Sequence, residues 1–425
     1  MAQLIADVEN APADRADQVG NTPSRPLRVA ILFYRFGPYH HARLNAAGRL
    51  MSVWGIEACA QEEIYAWAKV EGAKDFARVT LTDHDRGGRA WRKELQRKMW
   101  QALDEIKPQV VVIPGWVFAD ALSGLWWCAK TRTPAVIMSE STAWDEPRRF
   151  WKEWIKGRLV KMCAGGLAGG TAHADYLTRL GLPSERIRLG YDIVDNDFFA
   201  AKAAASRADD AQLRKQLGLP AKFFLASARF IEKKNLFRLV EAYARYREQA
   251  GDSEMWDLVL LGDGPLREKL KSLVATLHLL DHVLLPGFKQ YEELPVYFGL
   301  AGAFIHPSTT EQWGLVVNEA MASGLPVLVS NRCGCAQDLV QPGVNGFIFD
   351  PHQPAELAGL MQKIAAARFP LDTFGAASRR IIAGWGPERF GTGLKAAVLE
   401  AVKTRPRSPR LWDRMILRSL LRLKA

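Results

Sequence analysis

Short, continuous apolar runs alternate with helical stretches along this chain, and that alternation constrains the fold more than any other feature. In the first half, strands are predicted at RVAILFYRF from Arg28, Gln109–Trp116, Pro134–Glu140, and more weakly at Ala164–Gly170 and Arg186–Asp195. Long helical stretches are predicted between and around these strands, including one with helical spacing from His40 to Trp54. Strands that are apolar on both sides are typical of a parallel sheet covered on both faces by helices.

The same order then starts again. A polar helical link is predicted over about Ala200–Gly218. Five further strands follow, each with a turn signal or a helix after it: Lys222–Phe230, Asp257–Gly264, His282–Phe288, Ala301–Ser308 and Leu325–Ser330. The sequence therefore predicts an α/β protein with two successive Rossmann-like halves.

Composition narrows the class of partner. The chain has 425 residues and a formal charge of +11, which suits two or three domains and favours phosphate-bearing or anionic partners. No interleaved basic and aromatic run and no zinc-finger spacing supports nucleic acid. No apolar run approaches the roughly 18 residues of a membrane span, and residues 1–26 are predicted to be a disordered lead-in rather than a signal peptide.

The richest segment for chemistry is HPSTTEQWGLVVNEAMASGLPVLVS, which begins at His306. A helix start at Gly314 and Leu315 would offer free backbone N–H groups and a partial positive charge to a diphosphate. Glu311, just outside that start, is placed to accept hydrogen bonds from donor-sugar hydroxyls, and Glu319, further along the helix, from both ribose hydroxyls. Two acids eight residues apart often occur by chance, but the surrounding glycine, proline and serine pattern indicates a functional pair.

That segment resembles the E-x7-E signature of glycosyltransferase family 4, a retaining family of the two-Rossmann-domain (GT-B) kind. Other pieces resemble the same family in the expected order: Ser227–Tyr243 with its Arg229 and Lys234, Leu258–Leu270 with its G-x-G-P turn at Gly262 and Gly264, and Asn345–Pro351. The resemblance covers the C-terminal half and is thinner before it, where Leu177–Phe199 is similar.

The resemblance implies two Rossmann-like domains that face each other across a cleft. It implies an acceptor-binding domain over 27–200, a nucleotide-sugar-binding domain over 201–385, and a crossing helix followed by a basic amphipathic tail over 386–425. Arg229 would clamp the leaving nucleoside diphosphate and Lys234 would add a point charge. No cofactor is implied beyond the donor, a nucleotide diphosphate sugar.

The N-terminal half departs from the family at two places. Only Gly37, after the first strand, stands where the family carries a glycine-rich loop, and His40 and His41 beside it either meet phosphate or acceptor or simply cap a helix. Glu140 stands where the family has a histidine, so it is a candidate catalytic residue or a partly buried polar residue with satisfied hydrogen bonds.

The function implied is a retaining, metal-independent hexosyltransferase that acts on a saccharide or lipid-linked saccharide in bacterial surface polysaccharide or glycolipid synthesis. Asp83–Asp85 and Asp195–Asp197 have the Asp-x-Asp spacing of metal-dependent transferases but are predicted to be turns. A sugar-nucleotide epimerase on the same fold and a non-catalytic sugar-nucleotide-binding module stay open as alternatives.

The tail from Lys403 predicts a basic amphipathic helix, with Arg410, Arg414, Arg418 and Arg422 on one face. Trp412, Met415, Ile416, Leu420 and Leu423 gather toward the other face. A cytoplasmic protein that contacts the inner, anionic membrane surface through this helix is expected, with an oligomer contact or a loose end as alternatives.

Overall fold

Two parallel sheets organise the chain, each in its own compact unit. The computed structural model describes residues 26–61, 73–85, 87–249, 255–404 and 409–423. One unit combines Met1–Ile193 with Pro387–Ala425, and the other is Val194–Gly386. The predicted fold class, two Rossmann-like α/β domains, is confirmed, whereas the lead-in prediction falls almost entirely outside the described residues.

The thirteen strands named in the described part of the chain are β1 (Arg28–Phe33), β2 (Ser52–Gln61), β3 (Ala77–His84), β4 (Val110–Pro114), β5 (Ala135–Ser139), β6 (Gly165–Ala168), β7 (Ile187–Leu189), β8 (Phe223–Ser227), β9 (Asp257–Leu261), β10 (Val283–Gly287), β11 (Ala303–His306), β12 (Val327–Ser330) and β13 (Gly346–Phe349). Their order is β3-β2-β1-β4-β5-β6-β7 in the first unit and β10-β9-β8-β11-β12-β13 in the second.

The α-helices in the described part of the chain are α1 (Pro38–Gly48), α2 (Gly88–Ile106), α3 (Ala119–Thr131), α4 (Phe150–Val160), α5 (Thr171–Arg179), α6 (Asn196–Ala208), α7 (Asp210–Leu217), α8 (Leu236–Gln249), α9 (Arg267–Thr276), α10 (Leu294–Leu300), α11 (Leu315–Ala322), α12 (Ala336–Leu339), α13 (Pro354–Ala365), α14 (Leu371–Ile382), α15 (Pro387–Lys403) and α16 (Leu411–Leu423). None of these helices is both long enough and apolar enough to cross a membrane.

Alternation along β1 builds the layers of the first unit. Ile31 and Phe33 point into one core, and Ala30 and Leu32 point into the other, as the two-residue period of a strand requires. Helix α15 covers the first face through an apolar stripe that includes Phe390. Helices on both faces explain why the central strands are apolar throughout.

The sequence prediction missed β2 and β3 and extended the first helix too far. The helix ends at Gly48, and Trp54 lies inside β2 instead. Buried and half-buried positions alternate along most of β3, which is the pattern of a strand with one face toward the core. Glu57 is buried in β2 and pairs with Arg78 of β3 at 2.7 Å, so a polar residue interrupts the apolar signal there.

The C-terminal helix α16 is amphipathic as predicted, but a different side of it is buried. Leu417 is fully buried in the first unit's core, and Asp413 accepts a hydrogen bond from Arg158 Nε of α4 at 2.6 Å. Trp412 and Met415, predicted to share the apolar face, are 63% and 49% exposed. The helix therefore packs through a narrow stripe and leaves part of its apolar surface in solvent.

Two glycines in helix interiors provide a matched test of the packing in the second unit. A Cβ on Gly375 of α14 would collide with the carbonyl oxygen of Gly324, at the end of α11, whereas a Cβ on Gly359 of α13 would meet nothing within 4 Å. We expect Gly375→Ala to destabilise the protein by about 1–3 kcal/mol. Gly359→Ala should stabilise it by about 0.5–1 kcal/mol, because alanine has the higher helix propensity.

Urea unfolding followed by circular dichroism would measure both changes in the free energy of unfolding. Equal stabilisation by the two substitutions would show that the close approach of α14 to Gly324 is not a packing constraint.

Candidate active site

The candidate site lies at the carboxyl ends of neighbouring strands in the second unit. From β8 the chain first adds β9 and β10 on one side of the sheet. It then returns to add β11, β12 and β13 on the other side of β8, so the strand order reverses between β8 and β11. Open parallel sheets bind ligands outside the carboxyl ends of the strands at this point. The loops that follow β8, β9 and β11 carry most of the residues that the sequence singled out in this half.

The turn after β9 rests on the backbone of the loop after β8. Gly262 (φ +127°) and Gly264 (φ +155°) adopt conformations that side chains disfavour. A Cβ on Gly262 would collide with the carbonyl oxygen of Ala228, and one on Gly264 would come within 2.7 Å of the carbonyl oxygen of Phe230. Phe230 N–H also donates to Asp263 O at 2.8 Å. These glycines therefore fix the segment that contains Arg229.

Asn235 holds the next part of that loop. Its side-chain amide, which is buried, donates to the carbonyl oxygens of Pro307 at 3.0 Å and Pro351 at 2.8 Å. The backbone N–H of Thr309 donates to Lys233 O at 2.9 Å. As a result, the loops after β8 and β11 run side by side and bring Lys234 next to Glu311.

Glu311 is the centre of a polar cluster. Its carboxylate forms an ion pair with the Lys234 ammonium and lies 3.4 Å from Ser308 Oγ and 3.5 Å from His306 Nε2. Burial alone would raise the pKa of Glu311, but the hydrogen bond with His306 and the charge of Lys234 outweigh it and hold the pKa far below the ordinary glutamate value. Burial lowers the pKa of His306, which favours the neutral imidazole.

Helix α11 begins beside this cluster. Gly314 is its N-cap residue with φ +105° and, as a glycine, has no side chain that could cap the first N–H groups, which include that of Leu315. A Cβ on Gly314 would lie 3.3 Å from His306 Nε2 and 3.5 Å from Cys335 Sγ, so the backbone here is close to both side chains. A helix start with this arrangement can bind an anion through its amides and its dipole.

Glu319 lies deeper in the same helix. Its side chain is buried, with 2% of the residue exposed. Burial raises the pKa of Tyr291, and the negative charge of Glu319 raises it further. The structure therefore brings Lys234, Glu311 and Gly314 together and packs Gly262 and Gly264 against the Arg229 segment, with Glu319 further inside α11.

Sequence reasoning did not single out His306 as a site residue, although it quoted the segment that begins there. His306 is the last residue of β11, 1% exposed, and close to both Glu311 and Gly314. The signal was its position: a histidine that ends a buried strand directly before the loop carrying a candidate acid.

In the first unit, Glu140 belongs to a second polar cluster. Burial raises the pKa of Asp192 well above the ordinary value, and the neighbouring charge of Glu140 adds to the shift. Arg43 lies with Nη2 3.4 Å from Asp192 Oδ1 and with its guanidinium carbon 4.6 Å from the centre of the Tyr191 ring. Arg43 and Asp192 were missed because they are 149 residues apart and share no local motif.

The two histidines of α1 make contacts that stabilise the fold: His40 caps the helix, and His41 packs against aromatic rings. Gly37 N–H donates to His40 Nδ1 at 3.0 Å, which caps the helix. Desolvation and the nearby Arg43 charge lower the pKa of His40 to about 3, so the ring is neutral at physiological pH. His41 is buried and its ring lies edge-on to Phe36 and Phe76. Gly37 itself has an extended backbone, with φ −124°.

The prediction that both Asp-x-Asp stretches are turns was wrong, because Asp83 lies in β3 and Asp197 lies in the first turn of α6. Asp85 accepts hydrogen bonds from the Tyr34 hydroxyl and, at 2.7 Å, from Gly87 N–H. Asp195 caps α6 by accepting from Phe198 N–H at 3.0 Å. Within the described ranges, no group of three or more His, Cys, Asp or Glu side chains has an arrangement that could hold a metal ion.

Comparison with known proteins agrees with this geometry. Residues 209–380, which contain the cluster around Glu311, match the family described as glycosyl transferases group 1. The fold is similar to the crystal structure of HepE from Anabaena in complex with UDP, with a TM-score of 0.67 and 18% identity over 87% of this chain and 98% of that one.

Two curated relatives are similar over about half their length. An alpha-D-kanosaminyltransferase of Streptomyces kanamyceticus is 29% identical over 215 residues, or 50% of this chain and 54% of that protein. A GDP-mannose-dependent alpha-(1-6)-phosphatidylinositol monomannoside mannosyltransferase of Mycobacterium tuberculosis is 30% identical over 201 residues, or 45% and 50%. The chain spans about half the length of these relatives.

The two Rossmann-like sheets and the loops around Glu311 define the GT-B class of fold. Residues 209–380 resemble the glycosyl transferases group 1 family.

The depressed pKa of Glu311 gives a testable dependence on pH. Because the folded-state pKa lies below the unfolded value of about 4.3, the carboxylate stabilises the protein above that pH and loses its contribution as the pH falls below it. We expect Glu311→Gln to lower the free energy of unfolding by about 1.5–3 kcal/mol at neutral pH. The difference from wild type should shrink in acid.

Glu268→Gln is the matched control, since Glu268 is exposed and pairs with Lys271 at 2.8 Å on the surface. Its effect at neutral pH should stay within about 0.5 kcal/mol. Chemical denaturation at a series of pH values would measure both. A Glu311→Gln difference that grows in acid would contradict the assignment.

Proposed function

We propose that this protein is a retaining glycosyltransferase. It transfers a hexosyl group from a nucleotide diphosphate sugar to a saccharide or lipid-linked saccharide acceptor, in the synthesis of a bacterial surface polysaccharide or glycolipid. The observation that carries the proposal is the Lys234–Glu311 pair beside the start of α11, where the N-cap residue Gly314 has no capping side chain. A cation and free amides suit a diphosphate, and an adjacent carboxylate suits sugar hydroxyls.

In the proposed donor complex, each group has a separate task. The diphosphate lies against the amides at Gly314 and Leu315 and is held by Arg229 and Lys234. Glu311 accepts hydrogen bonds from the transferred sugar, and Glu319 holds the ribose. Without donor, Lys234 and Glu311 neutralise each other, so donor binding exchanges part of this ion pair for contacts to phosphate and hydroxyl groups.

The proposed reaction breaks the bond between the anomeric carbon and the β-phosphate oxygen. The acceptor oxygen forms the new bond on the same face, and its proton passes to the departing phosphate oxygen, so the anomeric configuration is retained. The charge that builds up on the leaving diphosphate is stabilised by Arg229, Lys234 and the helix start. We assign Glu140 to hold a sugar hydroxyl of the reactants, and no metal ion takes part.

The relatives suggest which donors to test first. The Mycobacterium tuberculosis relative is named as GDP-mannose-dependent, and the Anabaena structure contains UDP. We therefore expect a uridine or guanosine diphosphate sugar to raise the melting temperature of this protein.

Lys234→Ala should weaken donor binding much more than Lys233→Ala. The Lys234 ammonium pairs directly with Glu311, whereas that of the neighbouring Lys233 lies 3.9 Å from it and its side chain is 44% exposed. Loss of one charge-assisted contact to phosphate should weaken binding by about 1.5–3 kcal/mol, or roughly tenfold to a hundredfold. Calorimetric titration with the nucleoside diphosphate that gives the largest thermal shift would measure it. Equal effects of the two substitutions would contradict the site.

The same donor distinguishes the alternative functions. NMR analysis of donor with an acceptor should show an α-linked product from an α-linked donor, and a chelator should not slow the reaction. An epimer formed without acceptor would indicate a sugar-nucleotide epimerase. Donor binding without any product across an acceptor panel would indicate a binding module.

We also propose that the protein is cytoplasmic and peripheral at the anionic face of the membrane, through α16. Support comes from the exposed Leu411 and Trp412 and from the nearby Arg410 and Arg414. An interfacial helix combines apolar groups with cations in this way.

Leu411→Ser should therefore reduce sedimentation with anionic vesicles about tenfold or less, since about 1 kcal/mol of apolar burial is removed. Leu280→Ser is the matched control, because Leu280 is 67% exposed in the second unit and Leu411 is 72% exposed. An equal loss for the two variants would rule out α16 as the contact.

A further inference from the structure

A small cavity in the first unit is lined by ten residues, of which five are basic. It encloses about 310 Å³ and is bounded by α2, α3 and α16. We call it the basic pocket and define it by Arg89, Arg92, Lys93, Trp126, Arg418 and Arg422. The pocket shares no residue with the candidate donor site, which lies in the second unit.

Helical spacing explains why five cations converge on this cavity. Arg89, Arg92 and Lys93 lie at positions i, i+3 and i+4 of α2, so they share one face of the helix. Arg418 and Arg422 lie four residues apart on α16 and share a face in the same way. The two faces form opposite walls, and α3 lies between them.

Trp126 of α3 orients one of these cations. The guanidinium carbon of Arg418 lies 5.2 Å from the centre of the Trp126 ring, which is itself 7% exposed. Stacking on a buried indole limits the conformations of the arginine and directs its N–H groups along the wall. A preoriented guanidinium loses less entropy when it binds a ligand.

No carboxylate of the described residues forms an ion pair with any of the five cations. The nearest acid in sequence on α2, Glu94, pairs instead with Lys98 at 3.1 Å, on another side of the helix. Five like charges around one cavity repel each other, and a bound anion would relieve that repulsion. The pocket is therefore electrostatically suited to an anion.

We propose that the basic pocket binds a phosphate group. Guanidinium groups match the oxygens of phosphate through paired hydrogen bonds, and a cavity of about 310 Å³ can hold a phosphate or diphosphate but little more. The ligand is either the headgroup of an anionic phospholipid or a soluble phosphate. The exposed Val117 and Phe118 directly precede Ala119, which lines the pocket, and they favour the lipid because neighbouring apolar groups suit acyl chains. This site is additional to the transfer reaction and does not depend on it.

The test compares two double variants that remove the same charge from the first unit. Arg92→Gln with Arg422→Gln removes one cation from each wall of the basic pocket. Arg97→Gln with Lys403→Gln removes two exposed cations of the same unit, one from α2 and one from α15, outside the pocket. Thermal unfolding of the full chain would first establish that both variants are folded.

Two probes separate the sources of phosphate. The first is inorganic phosphate, titrated by calorimetry. The second is a phosphatidylcholine vesicle that contains phosphatidic acid, compared with one of equal surface charge that contains oleate. We expect the pocket variant to bind phosphatidic acid vesicles on the order of tenfold more weakly than the control variant. On oleate vesicles, the two variants should behave alike.

The outcomes decide the proposal. Loss confined to the pocket variant on phosphatidic acid vesicles supports a lipid headgroup, and a loss of inorganic phosphate binding confined to that variant supports a soluble phosphate. Equal losses for both variants with every probe would overturn the pocket and leave only diffuse attraction between a basic protein and an anionic surface.

Discussion

The ion pair between Lys234 and Glu311 joins two loops that are 77 residues apart in the chain, and the candidate donor site is built around it. The pair is possible only because β8 and β11 are neighbours, so that the loops after them meet at one edge of the sheet. Asn235 then fixes their spacing through hydrogen bonds to the backbone at Pro307 and Pro351. The strand order of the sheet therefore determines that Glu311 and Lys234 are paired, since a different order would separate them.

Much of the fold could be predicted from the sequence because its central strands are apolar on both sides. The runs at β1, β4, β5 and β8 carry that signal, and each is a strand in the structure. Strands β2 and β3 lie at one edge of the first sheet, where one face of β3 is partly open and Glu57 is buried by pairing with Arg78. Strands of mixed polarity carry a weaker apolar signal, so β3 was missed and the start of β2, up to Trp54, was assigned to the helix before it.

Some residues of the candidate site could likewise be proposed from the sequence, and others could not. Lys234, Glu311 and Gly314 could be proposed from sequence because they belong to short segments with fixed spacings. His306 acquires its role only from the close approach of Gly314, and Asp192 only from the approach of Arg43. Contacts of this kind depend on tertiary packing and have no local signature. Burial likewise keeps His40 neutral.

The distribution of these residues explains why the family match lies in residues 209–380. In the second unit, the residues proposed to bind the donor lie on consecutive strand–loop–helix segments, so their spacings are constrained together. In the first unit, Arg43, Glu140 and Asp192 come from three distant segments, and the basic pocket joins α2 to the last helix. Each of these contacts tolerates insertions between its parts. A function that resides in such dispersed contacts, as we propose for the first unit, can change while the fold stays the same.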